Sequence, residues 1–236
     1  MTRRLQSLAE LAVTGLLYLF ITTCLAQGYV IPTASMEGTL LVGDHLVVDK
    51  VAYAPDDALL GALLPHQPIE RGAIIVFRYP LNPQESYVKR VIGLPGDRIH
   101  IEDKQVFVNG SALDEPYVQH LDPRRIDYRD DFPAAAPVWI EDRARAMLGE
   151  HVQSGELVVP PDHYFALGDN RDNSSDSRFW GLVPRENIYG RPLLVYWSFD
   201  APTEVLLDRF SPNSLLSFAS GFFTKTRWER FPRLVE

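Results

Sequence analysis

Apolar and polar positions along this chain separate into one long run and many short ones. Residues 11–36 hold no Asp, Glu, Lys, Arg or His. Leu11, Val13, Leu16, Leu17, Leu19, Phe20, Ile21 and Leu25 dominate the run. About 20 apolar residues suffice to cross a bilayer as a helix, and no polar face interrupts the run as it would in a core helix. The pattern predicts a transmembrane anchor over 11–30, preceded by a short N-terminus, 1–10. Past residue 37 the apolar runs shorten and alternate with Gly, Pro, Asn and Asp. Leu46 to Val48, Ala73 to Tyr79, Tyr87 to Ile92 and Leu193 to Phe199 each predict a strand. Ile99 to Val108 reads as a hairpin turning at Asp103-Lys104 and closed by Asn109-Gly110. Glu156 to Leu167 reads as two strands around Pro160-Pro161-Asp162. Eighteen prolines suit short strands better than helices. The expected fold is mostly β: an N-terminal transmembrane helix followed by an antiparallel β-sheet domain with an inserted subdomain.

The insertion is the stretch 111–155, whose texture differs from the rest. It carries Asp122-Pro123-Arg124-Arg125, Asp127 to Asp131 and Pro133-Ala-Ala-Ala-Pro137, and its charges read as a solvated surface. The flanking segments 31–110 and 156–210 form the expected catalytic core. In the tail, 211–236, Leu215 to Phe223 is apolar but too short to span. It is followed by a basic-aromatic stretch from Lys225 to Arg233. It could lie on a membrane or form a last helix or strand, and the pattern does not choose.

Charge and cysteine content narrow the function. The formal net charge of −8 argues against a nucleic-acid partner. Cys24 is the one cysteine, so no intramolecular disulfide forms. The six histidines are scattered, without HExxH or a Cys/His cluster, so no metal or other cofactor is expected. Three readings fit the apolar run: a permanent anchor, a signal peptide cleaved near Cys24-Leu25-Ala26, or a lipoprotein signal ending at Cys24. Uncharged sequence continuing past Ala26 favours the anchor. Arg3 and Arg4 place its N-terminus in the cytoplasm and the rest of the chain outside.

The run ends at Ser35-Met36, which presents a serine close to the expected membrane surface. A hydrolytic serine needs a base. No Gly-x-Ser-x-Gly elbow is present and no histidine stands near a serine motif. A lysine can serve if burial lowers its pKa from roughly 10.4 towards 7–8. Lys89, in Tyr-Val-Lys-Arg-Val-Ile, is the lysine most deeply set in an apolar strand. Alternation puts Tyr87, Lys89 and Val91 on one face and Val88, Arg90 and Ile92 on the other. Taken alone, Lys89 reads equally as an edge-strand lysine or half of a buried ion pair. Lys50, beside Asp49, reads as an exposed strand end. A third feature is the loop Gly168 to Gly181, GDNRDNSSDSRFWG. It reads as a turn-rich surface loop, a calcium loop or a support that orients a neighbouring site; its spacing excludes an EF-hand.

Four ordered segments resemble the bacterial type I signal peptidases, membrane-anchored Ser/Lys endopeptidases. They are Ile31-Pro-Thr-Ala-Ser-Met-Glu-Gly-Thr-Leu40 with Gly43-Asp44, Arg71-Gly-Ala-Ile-Ile-Val-Phe77, Tyr87-Val-Lys-Arg-Val-Ile-Gly-Leu-Pro-Gly-Asp97 and Gly168 to Arg178. The resemblance implies a signal-peptidase-like fold in the bacterial cytoplasmic membrane, with its catalytic domain on the outer side. It implies Ser35 as nucleophile, Lys89 as general base, and Thr33 with the Ser35 N–H as oxyanion hole. Ser174 would hydrogen-bond the lysine amine, while Asp176 with Arg178 and Asp169 near Arg90 would brace the loop. Ile31, Pro32, Leu40, Tyr87 and Val88 would wall a pocket for small side chains at the first and third residues before the cut. The implied partners are secreted preproteins and the lipid bilayer. Gly38 departs from the family's usual proline and Ala73 from its usual aspartate. The alternatives are a specialised Ser/Lys processing peptidase with a private substrate, or an inactive membrane-anchored binding protein on the same fold.

Overall fold

A computed structural model describes residues 3–53, 67–133 and 140–235. Helix α1 (Arg3–Phe20) continues through a π turn, Ile21–Leu25. The stretch Leu5–Leu25 is long and apolar enough to cross a membrane, and none of its most apolar window is buried against the domain. Strand β1 (Ala26–Val30) follows without a loop. The helical part of the uncharged run therefore stops five residues short of the predicted boundary at residue 30. Residues 26–30 instead pair with β2 (Asp44–Asp49), from Ala26 opposite Asp49 to Val30 opposite His45.

The remaining elements are β3 (Ile74–Tyr79), β4 (Asn82–Gly93), β5 (Arg98–Glu102), β6 (Gln105–Val108), β7 (Ser111–Ala112), α2 (Asp127–Asp130) and α3 (Asp142–His151). Then come β8 (Val152–Gln153), β9 (Glu156–Val158), β10 (His163–Leu167), α4 (Ser177–Trp180), β11 (Val183–Pro184) and β12 (Ile188–Ser198). The chain closes with α5 (Thr203–Leu207), α6 (Pro212–Lys225) and β13 (Arg233–Leu234). One sheet runs β1-β2-β12-β3-β4-β10-β11, with β13 on β12; a second runs β7-β6-β5-β9-β8. The ladders within both are antiparallel. The predicted strands are all present, and the hairpin between β5 and β6 turns where expected. Asp103 and Lys104 both adopt positive φ, 48° and 70°, the backbone of a two-residue turn that matches strand twist. The second sheet takes β7 and β8 from the 111–155 stretch and β5, β6 and β9 from its flanks.

Ile92, Ile99, Ile101, Phe132, Leu157 and Phe165 share one core cluster. Beneath β3 and β4, Ile75, Phe77 and Val91 pack with Trp180. Each such large side chain contributes about 1.5–3 kcal/mol on full burial. The charges of the 111–155 stretch are not all solvated. Arg129 and Asp130 are buried; Arg129 Nε donates to Asp130 Oδ1 at 2.7 Å and lies 3.4 Å from Asp172 through Nη2. Composition cannot separate a paired buried charge from a surface one. Residues 134–137 of the alanine–proline stretch lie outside the described residues.

Leu215 to Phe223, undecided in sequence, belongs to α6. Ser211 caps that helix by accepting from the Ser214 N–H, and Pro212 occupies its first turn. Gly43, beside Phe199, has φ +91°, and a Cβ there would stand 2.0 Å from the Phe199 carbonyl oxygen. Gly43→Ala is expected to lose about 3 kcal/mol or more, read as a lowered thermal midpoint in detergent.

Candidate active site

Ser35 sits in a single 3-10 turn, Ala34–Met36, entered from extended Thr33 (φ −130°, ψ 154°). The turn closes through Glu37 N–H to Ala34 O at 3.0 Å and Leu40 N–H to Met36 O at 2.8 Å. Lys89 lies on β4 opposite Ile75 of β3. The two meet across 54 residues of chain: Lys89 Nζ is 2.7 Å from Ser35 Oγ and 3.0 Å from the Val88 carbonyl oxygen. Lys89 is 4% exposed. Burial pushes its pKa down to about 8, against the opposing pull of Asp176 and Asp169.

Those two aspartates are each held by an arginine instead of the lysine. Asp169 accepts from Arg90 Nε at 2.9 Å and Nη2 at 2.7 Å, and from the Thr39 hydroxyl at 2.6 Å. Asp176 accepts from Arg178 Nε and Nη2, both at 2.8 Å, and from the Gly168 N–H at 3.2 Å. Burial opposes ionisation of Asp176, but the Arg178 guanidinium and these hydrogen bonds hold its carboxyl below the usual carboxylate range. Asn170 N–H donates to the Ser35 carbonyl at 3.2 Å, so the polar loop grips the backbone of Ser35 itself.

Most of the residues singled out in the sequence converge here. Ile31, Pro32, Thr33, Ser35, Tyr87 and Val88 line one cleft of about 630 Å³. Leu40 does not. It is fully buried in the cluster of Ile31, Met36 and Val76, because the turn after Ser35 swings it inward. The hydrogen bond expected from Ser174 to the lysine amine is not formed. Ser174 Oγ is instead buried beside the Asp176 carboxylate, whose ionised form it favours, and packs where a Gly168 side chain would begin. Lys50 donates to the Thr23 carbonyl at 2.6 Å at a strand end, and Lys104 pairs with Asp172 at 3.0 Å. Ala73 sits at the start of β3, outside the cleft, its N–H bonded to Glu70 O at 3.2 Å.

Gly38 is explained by its backbone. Its φ of +103° is closed to proline, and the Gln119 side chain lies 2.9 Å from where a Cβ would stand. Gln119 also exchanges backbone bonds with the loop, its N–H to Asp169 O at 2.8 Å and its carbonyl from Arg171 N–H at 3.1 Å. The 111–155 stretch thus covers the turn that follows Ser35. Sequence reading missed Gln119, which no motif marks, and gave no role to Thr39, although it lies within the Ile31–Leu40 segment. It also missed cleft-lining Glu85, Ser86 and Leu207. Extending the Tyr87–Ile92 strand backwards would have found the first two. A separate cavity of about 740 Å³ between Arg90, Tyr117 and β13 contains neither Ser35 nor Lys89.

The family model described as signal peptidase, peptidase S26, matches residues 4–197. Signal peptidase I of Aquifex aeolicus (strain VF5) is 34% identical over 231 residues, covering 84% of this chain and 86% of that one. The Pseudomonas fluorescens signal peptidase I is 34% identical over 212 residues, 84% and 74% of the two chains. That of Bacillus caldolyticus is 39% identical over 175 residues, 73% and 80%. A solved signal peptidase I from Enterococcus faecalis V583 is 33% identical and covers 54% of this chain and 98% of that one, with a TM-score of 0.41.

The tightest packing constraint in the site is Gly168. A Cβ there would lie 2.2 Å from Ser174 Oγ and 2.4 Å from the Ser35 carbonyl oxygen. Gly168→Ala is expected to displace Ser35 from Lys89 and to slow acylation of Ser35 by an electrophilic probe about 10²-fold, measured by mass spectrometry of the labelled chain.

Proposed function

The chain belongs to the signal peptidase family, peptidase S26, and from that premise we propose how its residues cut a signal peptide from an exported preprotein. It is a signal peptidase I, a serine endopeptidase. In the proposed reading Ser35 is the nucleophile and Lys89 its base. The carrying observation is the 2.7 Å contact between a buried, unpaired amine and the serine hydroxyl. An inactive scaffold on this fold would leave Lys89 solvated and distant, so the contact argues against that alternative.

The proposed steps are as follows. Neutral Lys89 takes the Ser35 proton as Oγ attacks the scissile carbonyl. The oxyanion receives hydrogen bonds from the Ser35 N–H and the Thr33 hydroxyl, donors that each contribute about 10²–10³ in rate in comparable sites. The lysine ammonium then gives its proton to the leaving amine, which departs with the mature protein. The signal peptide stays esterified to Ser35 until Lys89, neutral again, takes a proton from the attacking water. Arg90 with Asp169 and Arg178 with Asp176 support the loop, and Ser174 supports it by packing on Gly168.

The substrate is proposed to lie extended against β4. Pairing of β4 with β10 stops at Arg90, which leaves the edge over Glu85 to Val88 facing the cleft, suited to an added strand. Ile31, Pro32, Tyr87 and Val88 wall the positions for small side chains at −1 and −3. Helix α1 is proposed to be a single-pass anchor in a bacterial cytoplasmic membrane, with the cleft on the outer side. Its exposed apolar surface supports this, as does the short link of β1 between helix and nucleophile segment.

With purified enzyme and a preprotein, Ser35→Ala and Lys89→Ala are each expected to lower kcat/KM by at least about 10³-fold, while Lys50→Ala stays near wild type. Near-full cleavage by either of the first two overturns the dyad. Because only the neutral amine accepts the proton, kcat/KM is expected to rise with pH through a midpoint near 8 and to fall about tenfold per unit below it.

A further inference from the structure

The cleft changes character along its length. Ile31 and Val88, from the two stretches that flank it, wall the proposed positions for small side chains. Alternation puts Tyr29 on the face of Ile31 and Ser86 on the face of Val88, each one step further along. Both Tyr29 and Ser86 line the cleft. Ser86 stands about 7 Å further from Lys89 along β4 than Val88 does. Tyr189 of β12 joins the two: its hydroxyl lies 2.8 Å from Ser86 Oγ and 3.1 Å from the Tyr29 hydroxyl. An apolar lining thus ends in three linked hydroxyls.

The link is built into the sheet. Ile188 stands opposite Phe77 and Gly190 opposite Val76, so Tyr189 is an extra residue on β12. A bulge of this kind re-aims a side chain. Tyr189 packs in the cluster of Ile31, Val76, Val88 and Tyr29, whereas Ile188 belongs to the separate cluster of Phe77 and Trp180. The bulge also needs Gly190, where a Cβ would stand 2.6 Å from the Asp49 carbonyl oxygen. The Tyr189 hydroxyl has one proton, so it donates to one neighbour and can only accept from the other. The neighbour that receives this proton, Tyr29 or Ser86, keeps its own to give, and either one faces the cleft. The trio therefore offers both a donor and lone pairs. A hydroxyl or a carboxamide matches that pair, while an aliphatic side chain would strip water from it and return nothing.

We propose that Tyr29, Ser86 and Tyr189 form a polar subsite that takes a hydroxyl or carboxamide side chain at −5, the fifth residue before the cut. In an extended substrate the side chains at −1, −3 and −5 share a face. Position −5 then follows −3 as Tyr29 follows Ile31 and Ser86 follows Val88. The proposal rests on the reading of this cleft as the path of the signal peptide.

The test uses the purified full chain in detergent and preproteins that differ at one position. At −5, kcat/KM for Thr is expected to exceed that for the isosteric Val about fivefold, the effect of one hydrogen bond. Tyr29→Phe and Tyr189→Phe each remove only a hydroxyl and are expected to bring that ratio below about twofold. A merely structural loss would slow both preproteins alike and leave the ratio standing. At −4 the Thr-to-Val ratio is expected to stay at about 1, because that side chain faces away from the trio. Equal rates for Thr and Val at −5 in the wild type overturn the subsite, as does a preference that survives in both variants. A larger effect at −4 than at −5 overturns the register. In each of these cases cleavage itself continues, so the reading of the cleft stands; if the wild type cleaves none of the preproteins, that reading falls and the subsite with it.

Discussion

The arrangement depends on keeping one amine buried without giving it a counter-ion. Lys89 has two carboxylates in its surroundings, Asp169 and Asp176, and either would hold it protonated if it paired with the lysine. Each is taken by an arginine first, Arg90 on Asp169 and Arg178 on Asp176, through two hydrogen bonds apiece. A planar guanidinium matches a carboxylate in a way an ammonium does not. The lysine is left with the Ser35 hydroxyl and one carbonyl. Burial then decides its protonation, and the pKa falls. Buried ion pairs stabilise a fold little compared with apolar packing. Their value here lies in occupying the aspartates.

The same pairs build the site's walls. Arg90 follows Lys89 on β4, and alternation sends the two side chains to opposite faces. One strand therefore delivers Lys89 to Ser35 and a clamp to the loop behind it. Asp169 passes the clamp on to Thr39, beyond the turn that carries Ser35, and Arg230 pairs with Asp44 and donates to the Thr39 carbonyl at 3.1 Å from the other side. The segment carrying Ser35 is thus held between the polar loop and the C-terminal stretch. Such rigidity is what a nucleophile–base contact requires, since small displacements cost large factors in rate.

Much of this was legible in the sequence wherever a local pattern had one physical meaning. Short apolar runs bounded by turn residues became strands at the expected places, and a lysine inside such a run was indeed buried. The reading failed where the same pattern has two meanings. The uncharged residues 26–30 could be anchor or strand, and pairing with β2 made them strand. Arg129 and Asp130 could be solvated or paired, and they are paired and buried. Leu40 was placed at the pocket wall by the family resemblance, whereas the turn after Ser35 points it into the core. Gln119 lies 81 residues from Gly38 and is tied to it only by the fold.

The claim that burial without a counter-ion sets the state of Lys89 is most directly tested by titrating its side chain. The chain has only four lysines, Lys50, Lys89, Lys104 and Lys225, so the Nζ and Cε resonances of isotope-labelled enzyme can be assigned by one Lys89→Arg variant. A midpoint near 8 for Lys89, well below the ordinary lysine value of about 10.4, is the predicted result. A Lys89 midpoint at that ordinary value would contradict the account.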